Sequence, residues 1–347
     1  MDEPQAIIVK SKRIVYLDYL RVFAAFAVVC IHSTKYSQVE FHSYEWWVFT
    51  VFNSLVRWAV PVFVMISGVF FLDNKKSLPL KKLYLNNILK LVTAYLFWTI
   101  VYRLCFYPQS LAIKSLIAEI IYSVVYPEVH LWFIPMMVCL YLIVPVLRKI
   151  TESQNTMRYF LLISLVFTFI VPLIKKIAFF QAEGNIISHT NFYFTLGYVP
   201  YFVLGYYLNS AEITKKQEVI AYILGAIGFL CTIWLTFVSS DSTEIIDLSY
   251  SNGLCLNILL ESIGVFVFAK CRLARLKETL ITKLSGYTFG VYLIHLSLIK
   301  ILGLINISSL LINPIIGFPL FSIVVFCSSL FISFLISKIP FINKYIV

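Results

Sequence analysis

Charge is scarce in this chain. Only 13% of its 347 residues are Asp, Glu, Lys or Arg, about half the roughly 25% of an ordinary soluble domain, which excludes a body wetted on every side. Histidine is scarcer still. Five are present, His32, His42, His130, His189 and His295, with no HExxH and no paired His/Cys spacing, so no zinc signature appears and no metal is expected. The seven cysteines are odd in number and lie almost entirely in apolar runs without a CxxC, which argues against a disulfide framework. A G-x-S-x-G elbow and a Walker loop are absent too. No Gly/Ser-rich linker, low-complexity tract or fixed-period repeat divides the chain, so residues 1–347 read as one domain.

What is plentiful is apolar sequence: 60% of residues are hydrophobic and 17% aromatic. A bilayer core takes about 20 mostly apolar residues per helix, and ten such runs follow one another. We place them at Ile14–Thr34, Trp46–Leu72, Ile88–Phe106, Leu131–Leu147, Tyr159–Ile174, Phe192–Leu208, Val219–Val238, Leu254–Ala269, Tyr287–Ile305 and Phe318–Ile336. The expected fold is an all-α, polytopic membrane bundle of about ten helices. The first run carries Asp18 and Arg21 and lacks a small-residue cleavage site, so it is expected to stay as a helix rather than leave as a signal peptide. Between the third and fourth runs, Leu111–Tyr126 sets Ile113, Leu116, Ile117, Ile120, Ile121 and Val124 on one helical face with Lys114, Ser115, Glu119 and Ser123 opposite. It reads as a helix lying along the interface, with a re-entrant segment as the alternative.

A net charge of +11 invites nucleic acid as a partner, but the basic residues sort by membrane side instead. The amino-terminal tail and the alternate loops after it, with the carboxyl-terminal tail, carry three, four, three, two, five and two Lys or Arg, or 19. The opposite loops carry one, one, two, none and none, or 4. By the positive-inside bias both termini are expected in the cytoplasm, with the lipid bilayer of a bacterial plasma membrane as the surroundings and no nucleic-acid partner.

A charge inside the hydrocarbon region costs at least about 2.5–3.5 kcal/mol on insertion scales, so each one asks for a reason. Arg21 and His32 are eleven residues apart; at about 100° per residue their side chains return to within roughly 20° of each other. Asp18, three residues before Arg21, borders the same stripe, and all three are expected to look into one cavity. The eleven residues rise roughly 16 Å, setting Arg21 at the inner end, where a planar fork suits phosphate, and His32 at the outer end as a general base. Arg57 and Glu261 lie near mid-span with partners that are not legible in sequence, as ion-pair members or substrate contacts. His295, one turn beyond Tyr292, is a further candidate, whereas His130 at the mouth of the fourth span reads as interfacial, beside Trp132 as an aromatic anchor.

The R-x10-H spacing of Arg21 and His32, after Leu17-Asp18-Tyr19-Leu20, resembles the signature of membrane acyltransferase family 3. Pro61 through Ser67-Gly68, His130-Leu131-Trp132-Phe133, and Leu284-Ser285 through Tyr292 to His295 look like that family's other landmarks. The resemblance covers nearly the whole chain. It implies transfer of an acyl group, acetyl above all, from cytoplasmic acyl-CoA to a hydroxyl of a cell-envelope glycan or a lipid-linked saccharide. It implies catalytic roles for Arg21 and His32, with Asp18 beside them, and coenzyme contacts by Arg21 and the start of the third helix. There the family's two arginines, three residues apart, are replaced by Asn87 and Lys90, so one charge is kept and one lost. Some relatives carry an additional extracytoplasmic hydrolase-like domain with no counterpart in these residues, so hand-over is expected within the bundle. An exporter of polysaccharide or small solute on the same fold, with the polar stripe lining a path, is the alternative; a membrane-embedded sensing module is a third. Oligomeric state is not legible.

The topology is directly testable. Reporter fusions at Val347 and within Asp241–Ser251 are expected to report opposite sides of the membrane. Both reporting the same side would overturn the loop count.

Overall fold

The computed structural model describes residues 13–107, 113–176, 197–340 and 346. Among these the chain is helical throughout. We number the helices α1 (Val15–Ser33), α2 (Tyr44–Val56), α3 (Ala59–Phe71), α4 (Leu80–Phe106), α5 (Ile113–Val125), α6 (Phe133–Leu142), α7 (Val144–Thr151), α8 (Gln154–Lys175), α9 (Val199–Ser210), α10 (Lys215–Thr243), α11 (Leu256–Arg272), α12 (Leu280–Leu304) and α13 (Pro314–Ile336).

Eight helices among the described residues are long and apolar enough to cross a bilayer, counting Tyr44–Phe71 as one; joining α6 to α7 makes nine. The expected span Leu131–Leu147 is this broken pair, bent by 60°. Pro145 stands at the start of α7, where its missing N–H and its ring interrupt the helical ladder. The expected span Phe192–Leu208 begins outside the described residues; its described part is the short helix α9, and Leu111 and Ala112 of the expected interfacial helix also lie outside them. Within α4 a π turn covers Leu83–Ile88, and so includes Asn87; such bulges rotate the register of everything after them.

Helix α1 is the axis of the bundle. Two thirds of its span, 67%, is buried against 22% for α10, and it packs on α2, α3, α11, α12 and α13. Ala24, Ala25 and Ala27 on α1 are almost fully buried, because small side chains let helices approach where no hydrophobic drive exists between apolar helices and lipid tails. The same device fixes two other contacts. A Cβ on Gly68 would overlap the Phe202 carbonyl and one on Gly205 the Met65 carbonyl, so α3 and α9 meet backbone to backbone. Gly225 and Gly264 seat α10 on α11, a Cβ on the former lying 3.1 Å from the Cα of the latter. At the start of α10, Thr214 and Gln217 form a reciprocal capping box.

Helix α5 lies against α4. Arg103 of α4 forms an ion pair with Glu119 at 2.9 Å, and Tyr95 donates to the Val124 carbonyl at 2.6 Å. Ile117 and Ile121 face outward, 54% and 60% exposed, so the polar face of this helix turns toward the bundle and its apolar face away from it.

Glycine at positions 68 and 205 is therefore a packing requirement. Gly68→Ala and Gly205→Ala are expected to cost about 1–3 kcal/mol by overpacking and to lower the thermal midpoint of the detergent-purified protein. Gly286→Ala, where a Cβ meets nothing within 4 Å, should leave it unchanged. A midpoint unmoved in Gly68→Ala would contradict the contact.

Candidate active site

The site is a cavity of about 260 Å³ walled by α1, α3, α4, α6 and α12. Helix α1 supplies both Arg21 and His32 to its wall, as their common face requires, and the cavity runs along the roughly 16 Å between them. Ser67, Tyr141 and Ser285 also line the cavity, as do His130, Trp132 and Tyr292.

Arg21 has no carboxylate within 4 Å among the described residues. Its guanidinium lies over the Phe70 ring, 5.4 Å from the centroid, a contact that orients a cation without neutralising it. Asp18 does not join it in the cavity, against expectation. One Asp18 carboxylate oxygen accepts from Arg13 Nε at 2.5 Å and the other from the Ser285 hydroxyl at 2.8 Å. Arg13 sits just ahead of α1, and the hydrogen bond it donates to the Asp18 carboxylate holds the pKa of its guanidinium above the ordinary value. Arg13 also donates to the Thr282 carbonyl and, at 3.3 Å, to Glu278. Asp18 thus clips the start of α1 to the start of α12 and leaves Arg21 to the cavity.

At the other end three imidazoles gather. His32 is half-enclosed and opens on the cavity; His130 and His295 are buried, 2% and 0% exposed. Ring centroids are 5.2 Å apart for His32 and His295, 5.2 Å for His130 and His295, and 6.2 Å for His32 and His130. His130, which reads as interfacial in sequence, is instead enclosed by Tyr102, 5.1 Å away on α4, and Tyr292, 5.5 Å away on α12. Tyr292 also donates to the His130 carbonyl at 2.7 Å. Among the described residues no group of three or more His, Cys, Asp or Glu is arranged to hold a metal ion.

The remaining candidates separate. Lys90 is half-buried beside the cavity, its Nζ 5.8 Å from the centroid of Phe289, which lines the wall together with Leu91. Asn87 lies about one turn earlier in α4, inside the π turn, and does not line the cavity. Arg57 and Glu261 do not line it, but Arg57 lies close enough to His32 and to Glu261 to act on both electrostatically. Arg57 Nε donates to Asn53 Oδ1 at 2.5 Å, and Thr232 donates to Glu261 Oε1 at 2.5 Å. No ion pair within 4 Å joins the two. Of the wall residues that sequence reasoning did not single out, Tyr141 had a signal, a phenol in the middle of an apolar run that is costly to bury without a partner.

An imidazole and a cation with no ion pair among the described residues, at opposite ends of one cavity, suit a reaction in which an anionic carrier is held at one end and a proton is removed at the other. Comparison with known proteins agrees on the class. A family model described as an acyltransferase domain matches residues 14–338. No curated protein and no solved structure matches the chain. The family match runs from just before α1 to just past α13 and contains the whole cavity, so the chain belongs to membrane acyltransferase family 3.

Proposed function

We propose that this acyltransferase moves an acetyl group from cytoplasmic acyl-CoA to a hydroxyl of a cell-envelope glycan or lipid-linked saccharide. The observation that supports it best is the pairing, in one cavity, of an Arg21 that forms no ion pair among the described residues with an open His32. About 260 Å³ is below the 300–1,000 Å³ of pockets that enclose a drug-sized ligand. The cavity therefore takes the acyl-pantetheine arm, and the nucleotide stays outside it.

In this reading Arg21 grips an anionic or carbonyl oxygen of the coenzyme arm, since its five donors face no protein carboxylate. Lys90, near the wall, adds positive charge on the side where the family keeps two arginines and this chain has Asn87 and a single lysine. His32 takes the proton of the acceptor hydroxyl as that oxygen attacks the thioester carbonyl. The carbon–sulfur bond then breaks, and the departing thiolate takes the proton from His32, so neither charge nor proton is left over. Asp18 works at one remove, by fixing the start of α1. With both termini cytoplasmic, the Arg21 end faces the coenzyme and the His32 end faces the envelope.

Three variants of the purified protein test this with labelled acetyl-CoA. His32→Ala is expected to bind acetyl-CoA normally and to lose transfer to envelope glycan by about 10²–10⁴-fold. Arg21→Met should weaken binding by roughly ten- to a hundredfold, the worth of about 1.5–3 kcal/mol for hydrogen bonds to a charged group. Transfer at the wild-type rate in His32→Ala, at saturating substrate, would remove the base. A further expectation concerns the charge at α4: Lys90→Met should raise the dissociation constant for acetyl-CoA without moving the thermal midpoint, and unchanged binding would take Lys90 out of the site.

A further inference from the structure

The histidine cluster contains more than the reaction above uses. His295, on α12, is fully enclosed, and its Nδ1 lies 3.1 Å from the carbonyl oxygen of Val291, one turn earlier in the same helix. A carbonyl only accepts, so Nδ1 carries the hydrogen, and in a neutral imidazole the other nitrogen is then a bare lone pair. That atom, Nε2, is buried without a partner among the described residues. An unsatisfied buried acceptor is costly and asks for a donor.

Two donors are within reach, His32 and His130, each with its ring centroid 5.2 Å from that of His295. At that separation a nitrogen of one ring can approach a nitrogen of the next at about 2.7–3.2 Å. Both ring nitrogens of His130 are also buried without a partner among the described residues, so His130 has an N–H to give as well, and the choice falls on His32 by its place on the cavity. His32 sits between the lone pair and the cavity.

We infer that His295 is a positioning residue for His32. Its Nε2 accepts the N–H of one His32 nitrogen, which fixes the His32 tautomer and leaves the other nitrogen as a bare base facing the cavity. The arrangement follows the general logic of a base oriented by a third group, with a neutral imidazole, itself fixed by a helix carbonyl, in the orienting place. When His32 takes the hydroxyl proton, both its nitrogens carry hydrogen; the bond to His295 persists, and the proton acquired from the acceptor is the one delivered to the thiolate. His295 neither gains nor loses a proton. The catalytic part of this inference rests on the base assignment made above, whereas the tautomer part does not.

With five histidines in the chain, nitrogen-15 imidazole spectra of the full-length protein in detergent micelles are tractable, the His32 signals being those lost in His32→Ala. Wild type is expected to show His32 as a single tautomer. His295→Phe, which keeps a ring but offers no acceptor, should convert it to a mixture. The same variant should lower transfer of label from acetyl-CoA to envelope glycan at least tenfold at saturating acetyl-CoA, with KM for acetyl-CoA unchanged. His295→Gln, whose amide oxygen can accept the same N–H, should restore a single tautomer and most of the rate. If His295→Phe fails to fold, His295→Asn, too short to reach His32, replaces it. A His32 tautomer unchanged in the loss variant overturns the pairing, whatever the role of His32. A mixture that appears in His130→Phe instead assigns the contact to the other ring and overturns it equally. Wild-type transfer in His32→Ala overturns the base assignment and the catalytic half of the inference, while the tautomer spectra still decide whether the two rings are paired.

Discussion

A cation enclosed in an apolar bundle has to be satisfied by something, and in this protein the acid nearest in sequence to Arg21 is engaged elsewhere. Asp18 is the acid nearest in sequence to Arg21, and an ion pair between them would have closed the cavity chemically. Arg13 and Ser285 take both carboxylate oxygens of Asp18 instead. Elsewhere the same demand is met locally: Arg103 has Glu119, Lys300 has Glu128 at 2.6 Å, and the Lys270 ammonium donates to backbone carbonyls at the end of α9, Leu208 among them at 2.6 Å. Arg21 and Arg57 form no ion pair within 4 Å among the described residues; Arg57 donates to Asn53, whereas Arg21 lies over Phe70 on the wall of the cavity.

The bundle is built to keep that environment constant. Helix α1 is buried by its alanines and clamped at its start through Arg13, Tyr16 and Tyr19. The Tyr16 hydroxyl donates to Asn209 at 2.6 Å, and the Tyr19 hydroxyl meets Thr279 at 2.9 Å. Glycine contacts lock α3 to α9 behind the cavity wall. A site whose Arg21 and His32 sit on one helix, roughly 16 Å apart along its axis, has its two ends fixed relative to each other. Positioning of this kind is where much of the rate of an acyl transfer between two bound reactants comes from.

Much of this was legible in the residues themselves. The all-helical membrane class followed from the apolar runs, and the common face of Arg21 and His32 from helical periodicity alone. The amphipathic stretch ahead of Pro127 is a helix, and its Glu119 pairs with Arg103, a charge that falls within the expected third span. What escaped was non-local. Asp18 shares the stripe of Arg21, yet its partner Ser285 is 267 residues away, and no periodicity reports such a contact. His130 looks like a mouth residue because it precedes a span; Tyr102 and Tyr292, from helices before and after it, bury it. Leu131–Leu147 reads as one apolar run, and Pro145, legible as a breaker, makes it two helices. The partners of Arg57 and Glu261, Asn53 and Thr232, are likewise polar groups on apolar helices, set by packing rather than pattern.

The proposed function requires the acyl donor to occupy the cavity between Arg21 and His32. Cryo-electron microscopy of the protein with acetyl-CoA, and without acceptor, tests it most directly. Density for the pantetheine arm is expected to enter past Arg21, with the thioester near His32 and the nucleotide outside the cavity on the Lys90 side. Coenzyme density elsewhere on the bundle, with this cavity empty, would contradict it.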